Sequence, residues 1–280
     1  MAKVKYFPAL LISLPLLFFD HARSADAQNS SKLKIGTNLT VVEWGAWRAI
    51  HKGVEFRKVV VERAEPNYVM DLKLVRFDGR TVTPRILSSG DFQLRSASAK
   101  TFAEKSGALA AINANYFDEK GRPLAYLKTL NQEINRNVAK HPLYTGVFGS
   151  RDGAPFVGQR DEFQPARAAQ ALQAGPLLLN RGAPVEIMRG LGRYARRAFI
   201  GIDKDGRTVI GVTDAVLGGL SFAELQELFA NPKAQLDTPD LLNLDGGGSA
   251  QLYLRAGKFE EWVVGTTEVP VVIGFFTRPN

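Results

Sequence analysis

The apolar residues of this chain fall mostly into short runs closed by turn residues, a pattern typical of β-strands. Clusters rich in Asp, Asn and Gly separate the runs. Pro84 lies within one of them and restricts that strand to a sheet edge, because proline has no N–H to donate to a neighbour. The predicted strands are 54–63, 67–77, 82–87, 108–117, 124–130, 177–179, 197–202, 208–213, 241–244, 251–254, 259–264 and 269–276, with a hairpin over 145–157.

Few segments predict helices. Ser221 and Glu224 form a capping box in front of an apolar stripe, which predicts a helix over 221–229. A second helix is predicted over 99–105, and the alanine-rich segment 167–173 predicts a helical turn. Strands outnumber helices without the regular alternation of parallel sheets. The predicted fold class is therefore α+β, a single domain of mixed, largely antiparallel β-sheets with a few flanking helices.

The first 27 residues have the pattern of a secretory signal peptide. Lys3 and Lys5 precede an apolar run over 6–19, and an A-x-A pattern ends at Ala27. The run is shorter than the ~18 residues of a typical membrane span, and an uncleaved anchor is the alternative. We therefore expect residues 1–27 to be removed and the mature protein, which has no other candidate span, to be periplasmic or extracellular.

The remaining chain has no Ser/Gly/Pro-rich linker. Residues 28–107 are therefore expected to be the N-terminal part of the same domain as residues 108–280. The formal net charge of +8 favours anionic partners, such as a sugar phosphate or an anionic glycan. No dense Lys/Arg run or basic stripe interleaved with aromatic residues is present, so we expect no nucleic acid partner.

Several classes of site are excluded or disfavoured by composition. Cysteine is absent, which excludes disulfides and cysteine-bound zinc. After the leader only His51 and His141 remain, in unrelated contexts, which argues against a histidine-rich metal site. Walker loops, dinucleotide fingerprints and G-x-S-x-G elbows are also missing. Carboxylate, asparagine, arginine and backbone N–H groups remain as candidates for chemistry.

The strongest candidate is the sequence LLNLDGGGSAQLYL over 241–254, in which three glycines interrupt two apolar arms. Three glycines between buried strands are costly unless their backbone shape is needed. Glycine permits positive φ and lets a ligand approach bare N–H groups, which is how anion-binding concavities are built. Asp245 at the mouth of this turn is the candidate reactive carboxylate. The alternative is a glycine-rich β-turn with a solvated Asp.

Three other places put polar residues at strand ends, where a rigid scaffold meets solvent. The segment 113–118 combines amides, which hydrogen-bond sugar hydroxyls, with aromatic rings, which pack on sugars; an Asx-rich turn with Tyr116 and Phe117 in the core is the alternative. Arg197 offers a fork of donors for phosphate, or is a solvated strand end. Asp214 leaves a strand, either as a second acid or as a helix first-turn residue. Such groups suit glycosyl or phosphate-ester transfer.

Four segments in this order resemble the phosphodiester glycosidase family, some of whose bacterial members are described as exopolysaccharide-related. The resemblance spans roughly residues 108 to 276, and its most specific part is the NLDGGGS element. Residues 28–107 show no specific match. The matching segments are INANYFDEKGRPL (112–124), LQAGPLLLNRG (172–182), RRAFIGIDKDGRTVIGVTD (196–214) and SFAELQELF…LLNLDGGGSAQLYL (221–254).

The resemblance implies hydrolysis of a sugar-1-phosphodiester to a free sugar and a phosphomonoester. It implies that Asp245 is a general acid/base or nucleophile, and Asp214 is the candidate second carboxylate, since most glycosidases use a pair. Ala114 and Asn115 replace two glycines that are usual in the first motif, so the substrate of a particular relative does not carry over. The residues expected to bind the substrate are Asn113, Phe117, Arg197, Asn243, Gly246, Gly247, Gly248 and Ser249.

Two other functions fit the same residues. One is a non-catalytic binder of anionic envelope or extracellular polysaccharide, which keeps the anion site without turnover. The other is a metal-dependent phosphodiesterase that cuts the other ester bond. We expect no cofactor, and the second alternative leaves a divalent metal open.

Overall fold

The computed structural model describes residues 32–188, 194–216 and 218–279, so the predicted signal peptide lies outside the described residues. Within these ranges no helix is long and apolar enough to cross a membrane. The strands in chain order are β1 Leu33–Ile35, β2 Leu39–Trp44, β3 Arg48–His51, β4 Val54–Arg63, β5 Tyr68–Phe77, β6 Val82–Ser88, β7 Ala110–Asn113, β8 Leu127–Lys128, β9 Glu133–Asn135, β10 Gly146–Arg151, β11 Ala154–Gln159, β12 Gln170–Ala174, β13 Leu177–Asn180, β14 Ala183–Pro184, β15 Ala198–Ile202, β16 Thr208–Asp214, β17 Asp240–Asn243, β18 Leu252–Ala256, β19 Phe259–Val263 and β20 Val271–Thr277.

The strands form three sheets. The largest has ten strands in the order β1-β2-β4-β5-β16-β15-β17-β13-β14, with β3 paired to β4. A five-stranded sheet has the order β19-β18-β7-β20-β6, and another has the order β11-β10-β12-β8-β9. Each strand pair in the described part of the chain is antiparallel. The predicted antiparallel character is confirmed, whereas the prediction of mixed sheets is wrong.

Two α-helices accompany the sheets. Helix α1, Ala99–Ser106, begins after the N-cap Ser98 and ends at Gly107, which takes the left-handed conformation that terminates helices. Helix α2, Phe222–Ala230, has the predicted capping box, in which Ser221 accepts from the Glu224 backbone N–H and the Glu224 side chain accepts from the Ser221 backbone N–H. Both predicted helices are therefore confirmed.

The alternation of side chains along the central strands explains why the ten-stranded sheet is buried on both faces. Ala198 and Ile200 of β15 pack into a cluster shared by all three sheets, and Phe199 between them packs against α2 residues such as Leu225. Helix α1 packs Phe102 into a separate cluster over the sheet that contains β18. The two faces of β15 therefore serve different cores.

Some segments differ from the sequence predictions. The helical turn predicted over 167–173 is wrong, because residues 170–174 form the fully buried strand β12. Its glutamines are satisfied by long-range bonds that local sequence does not show; Gln170 alone bonds to the backbone of Pro84 and Ile86. The strand predicted over 124–130 shrinks to the two residues of β8. Proline at position 84 does lie on an edge strand, β6, as predicted.

The triple-glycine turn connects two different sheets. Strand β17, which precedes it, is in the ten-stranded sheet, and β18, which follows it, pairs with β7 and β19. The turn contains a short 3-10 segment, Gly247–Ser249. The motif is therefore a crossing between sheets rather than a hairpin.

Candidate active site

The candidate site lies where β7, β15 and β17 meet the triple-glycine turn. The backbone N–H of Asp245 donates to the carbonyl of Ala114 at 2.9 Å, just beyond β7. The N–H of Leu244 donates to the carbonyl of Ala198 at 2.8 Å, at the start of β15. The first, third and fourth motif segments of the sequence therefore converge here.

The carboxyl group of Asp245 has a pKa that its surroundings shift. Burial raises its pKa from 3.8 to about 6, and hydrogen bonds from the Ser249 hydroxyl and the Gly246 N–H oppose the rise. The Gly246 N–H lies 2.9 Å from Asp245 Oδ1. In the described ranges no salt bridge within 4 Å joins the Asp245 carboxylate to a cation. A carboxyl group with such a pKa can gain or lose a proton near neutral pH.

Asn113 fixes the two sides of the turn instead of facing outward. Its side chain is fully buried, its Nδ2 donates to the Asp245 carbonyl at 2.6 Å, and its Oδ1 accepts from the Gln251 N–H at 3.0 Å. Asn113 therefore holds the triple-glycine turn to β7, and both ends of its amide are engaged in this structure, although the sequence predicts that it binds the substrate.

The glycines are required by close backbone packing. A Cβ on Gly246 would lie 2.7 Å from the Arg196 carbonyl oxygen, and Gly247 has φ of +59°. The Gly246 N–H bonds to Asp245 and the Gly247 N–H donates to Arg196 at 2.9 Å. Two of the three amides predicted to cradle phosphate are therefore used inside the protein, which leaves Gly248 as the candidate donor.

Arg197 is buried beside this turn. Its Nε donates to the Leu220 carbonyl at 2.7 Å, and its guanidinium carbon lies 3.9 Å from the centre of the Phe222 ring. Its Nη1 atom lies 3.7 Å from the position that a Cβ of Gly246 would occupy. Burial lowers the pKa of Arg197 to about 10, and the group stays cationic at neutral pH. The site therefore combines a fixed cation with the Asp245 carboxyl group.

Tyr116, an aromatic residue of the candidate segment 113–118, joins the elements of the site. Its hydroxyl donates to the Gly175 carbonyl at 2.8 Å and accepts from Asn243 Nδ2 at 3.1 Å. Burial raises the pKa of the phenol, the negative charge of Asp245 raises it further, and Arg197 opposes the rise. Asp245 and Arg197 therefore both lie close enough to Tyr116 for their charges to act on its phenol.

Asn243 offers a buried acceptor to the site. The side chain is fully buried, and its Nδ2 also donates to the carbonyls of Gly175 and Leu244, at 2.9 and 2.6 Å. Its Oδ1 has no hydrogen-bond partner in the described part of the chain. A buried carbonyl oxygen without a donor is unfavourable, so this atom is suited to accept from a bound hydroxyl group.

Tyr144 and His141 add aromatic rings next to Tyr116. The rings of Tyr116 and Tyr144 lie 5.3 Å apart, and those of Tyr144 and His141 lie 5.0 Å apart. Burial and the nearby charge of Asp245 raise the pKa of Tyr144. No motif marks Tyr144 or His141, because a long loop brings them to the site. Aromatic faces of this kind are a common surface for sugar rings.

Two predicted site residues lie elsewhere. Ala198 pairs with Val212, so Arg197 is opposite Thr213 and Asp214 projects from the other face of the sheet. The Asp214 carboxylate binds Lys73 Nζ at 2.7 Å. Phe117 packs against the α1 cluster. The structure therefore does not bring Asp214 or Phe117 into contact with Asp245.

In the ranges that the structure describes, no group of three or more His, Cys, Asp or Glu side chains is arranged to hold a metal ion.

Comparisons with known proteins identify a family and similar folds. The family model described as phosphodiester glycosidase matches residues 106–276. The catalytic domain of zebrafish N-acetylglucosamine-1-phosphodiester alpha-N-acetylglucosaminidase, auto-inhibited by its pro-peptide, is similar in fold, with a TM-score of 0.64 and 14% identity over 86% of this chain and 89% of that chain. A hypothetical protein from Synechocystis gives a TM-score of 0.56 and 17% identity over 81% of this chain and 62% of that one.

A search of curated proteins by sequence finds no match. The two solved structures have identities below 25%, so they show the fold alone. The family model, in contrast, covers more than half of the chain, including Asn113, Arg197 and Asp245. The chain therefore belongs to the phosphodiester glycosidase family.

Proposed function

We propose that this protein hydrolyses the glycosyl–phosphate bond of a sugar-1-phosphodiester, releasing the free sugar and a phosphomonoester. The observation that carries the proposal is the pairing of a buried carboxyl group, Asp245, with a buried cation, Arg197, at the turn that the family motif specifies. A carboxylate suits attack at the anomeric carbon, and a fixed arginine suits the phosphate.

Each group has a role that its contacts support. Arg197 and the Gly248 N–H bind the phosphate and stabilise the charge that develops on the departing oxygen. Asn243 Oδ1 accepts from a sugar hydroxyl, and Tyr116 and Tyr144 pack against the sugar. Ser249 keeps Asp245 oriented through its hydroxyl.

Asp245 acts in its ionised form, as the base that activates water or as the nucleophile. A phosphate ester is already a good leaving group, so protonation of the departing oxygen contributes little. This explains how one carboxyl group can suffice where glycosidases usually need two. Asp214 does not supply a second carboxylate in this mechanism, because it binds Lys73 on the opposite face of the sheet.

We further propose that the substrate lies outside the cytoplasm. The predicted signal peptide over residues 1–27 would direct the protein to the periplasm or beyond, and the net charge of +8 suits an anionic envelope or extracellular polysaccharide.

The test is an assay of purified protein with UDP-N-acetylglucosamine as a model diester. Release of free reducing sugar and UDP, unaffected by EDTA, is the expected result. A sugar phosphate as product, with loss of activity in EDTA, would instead identify a metal-dependent phosphodiesterase. Binding of anionic polysaccharide without any turnover would identify a non-catalytic binder.

A further inference from the structure

The N-terminal strands β4 and β5 contact the segment that holds Arg197. Both strands lie outside the region matched by the family model, which begins at residue 106. Tyr68, the first residue of β5, reaches across to residues 218–221. The N-terminal strands therefore contact a segment that lies inside the matched region.

Tyr68 engages both backbone polar groups of Gly219. Its hydroxyl donates to the Gly219 carbonyl in a short hydrogen bond. The Gly219 N–H in turn donates to the Tyr68 hydroxyl oxygen at 3.0 Å. The ring also packs tightly, because a Cβ on Gly218 would lie 2.8 Å from it. One side chain thus fixes the conformation of Gly219 and limits position 218 to glycine.

A buried ion pair between Arg63 and Glu224 contacts Tyr68 on one side and Ser221 on the other. Arg63 at the end of β4 is fully buried, and its Nη2 lies 2.8 Å from Glu224 Oε1. Arg63 Nη1 donates to the Tyr68 hydroxyl at 3.3 Å. Glu224 accepts from the Ser221 N–H at 2.9 Å through its other oxygen. Removing one partner would leave an uncompensated buried charge, so the pair is costly to break.

The residue between these two anchor points holds the guanidinium. Leu220 lies between Gly219 and Ser221, and its N–H donates to the Ala195 carbonyl at 3.0 Å. Its carbonyl oxygen accepts from Arg197 Nε at 2.7 Å. The position of this oxygen therefore depends on Tyr68 on one side and on Glu224 on the other.

We propose that Tyr68 is a positioning residue for Arg197, acting through the backbone of Gly219 and Leu220. The N-terminal strands thus complete the site of the matched region and hold the cation in place. The catalytic part of this inference rests on the proposed function, whereas the structural part does not.

The structural part is tested by NMR on the Arg197 Nε–H group. In Tyr68→Phe the ring remains and the hydroxyl is lost, so the exchange protection of the Nε–H is expected to fall about tenfold or more. The matched control is Tyr126→Phe, which removes another hydroxyl hydrogen bond, to Glu133, from a different sheet. Unchanged protection in Tyr68→Phe would overturn the proposal. If this variant does not fold, the exchange of the Gly219 N–H and of the Arg197 Nε–H is compared in wild-type protein, and unequal protection of the two groups would overturn the proposal.

The catalytic part is tested by a double-mutant cycle with UDP-N-acetylglucosamine. Tyr68→Phe is expected to lower kcat/KM roughly tenfold, since small displacements of a positioned group have effects of this size. In an Arg197→Lys background, where the Nε donor is gone, the same change is expected to have less than about a twofold effect. A general loss of stability would lower both backgrounds equally, and that result would contradict positioning.

The two proposals fail in different ways. If wild-type protein releases no sugar, the proposed function fails while the NMR measurement still decides the position of Arg197. If sugar is released but both tests show no coupling, the positioning role fails and the function stands.

Discussion

Asp245 and Asp214 are both acids at strand ends near Arg196 and Arg197, yet they face opposite sides of the sheet. Asp245→Asn is expected to lower kcat by about three powers of ten or more, because an amide neither accepts a proton nor attacks carbon. Asp214→Asn is the matched control and is expected to stay within about threefold of wild type. Steady-state kinetics with UDP-N-acetylglucosamine measure both. A large loss in Asp214→Asn would restore it as the second carboxylate.

The pH dependence of catalysis follows from the same carboxyl group. Its pKa is raised by burial to about 6, and in the proposed reaction the carboxylate is the reactive form. We therefore expect kcat/KM to be constant above pH 7 and to fall about tenfold per pH unit below pH 5.5. A pH–rate profile measures this. An opposite slope, with activity lost above pH 6, would mean that Asp245 acts as the acid.

The stability of the fold also depends on this residue. The pKa is higher in the folded state than the ordinary aspartate value of 3.8, so the folded state binds more protons between pH 4 and 6 and loses stability as the pH rises through that range. The side chain in Asp245→Asn does not titrate. At pH 8 the free energy of unfolding of this variant is therefore expected to exceed that of wild type by up to about 3 kcal/mol. Denaturant unfolding at pH 8 and pH 4 tests this, and the difference should fall to about 0.5 kcal/mol at pH 4. An equal difference at both pH values would show that titration is not its cause.

At the scale of elements, the triple-glycine turn depends most on its first glycine. A Cβ on Gly246 would meet the backbone oxygen of Arg196 at 2.7 Å, which cannot move without disturbing the start of β15. Gly246→Ala is expected to lower the free energy of unfolding by about 1–3 kcal/mol and to reduce kcat as Arg197 shifts.

The control for this change is Gly158→Ala in β11, where an added Cβ meets nothing within 4 Å. That variant is expected to unfold like wild type in denaturant. A Gly246→Ala protein with wild-type stability and activity would show that the turn adapts, contrary to the close packing described here.

At the scale of the whole molecule, the sequence predicted local elements better than their meeting points. Strand β4 and both helix caps follow from alternation and capping chemistry, which act within a few residues. Strand β12 did not, since buried glutamines are satisfied only by distant partners. The position of Asp214 relative to Asp245 could not be predicted for a similar reason, because the face on which it lies depends on the register between two strands.

The candidate site shows the same division. Asp245 and its glycines carry a recognisable motif, and Arg197 lies in another. For segment 113–118 the alternative interpretation put Tyr116 in the core. In the structure its hydroxyl connects Gly175 and Asn243. Tyr144 and Tyr68 come from segments that no local pattern connects with the motif. The candidate reactive groups were thus predictable where one short segment carries them, whereas the residues that hold those groups in place were not.

The crossing of the triple-glycine turn between two sheets has a consequence for cooperativity. Asp245 is held by Ala114 and Asn113 from one sheet and follows directly on a strand of the other, so its geometry exists only while the two layers are docked. Partial opening of the layers would therefore abolish turnover before either sheet lost its own ladder of hydrogen bonds. Enzymatic activity in mild denaturant would then report the docking of the layers, and its midpoint would precede that of the β-sheet circular dichroism signal.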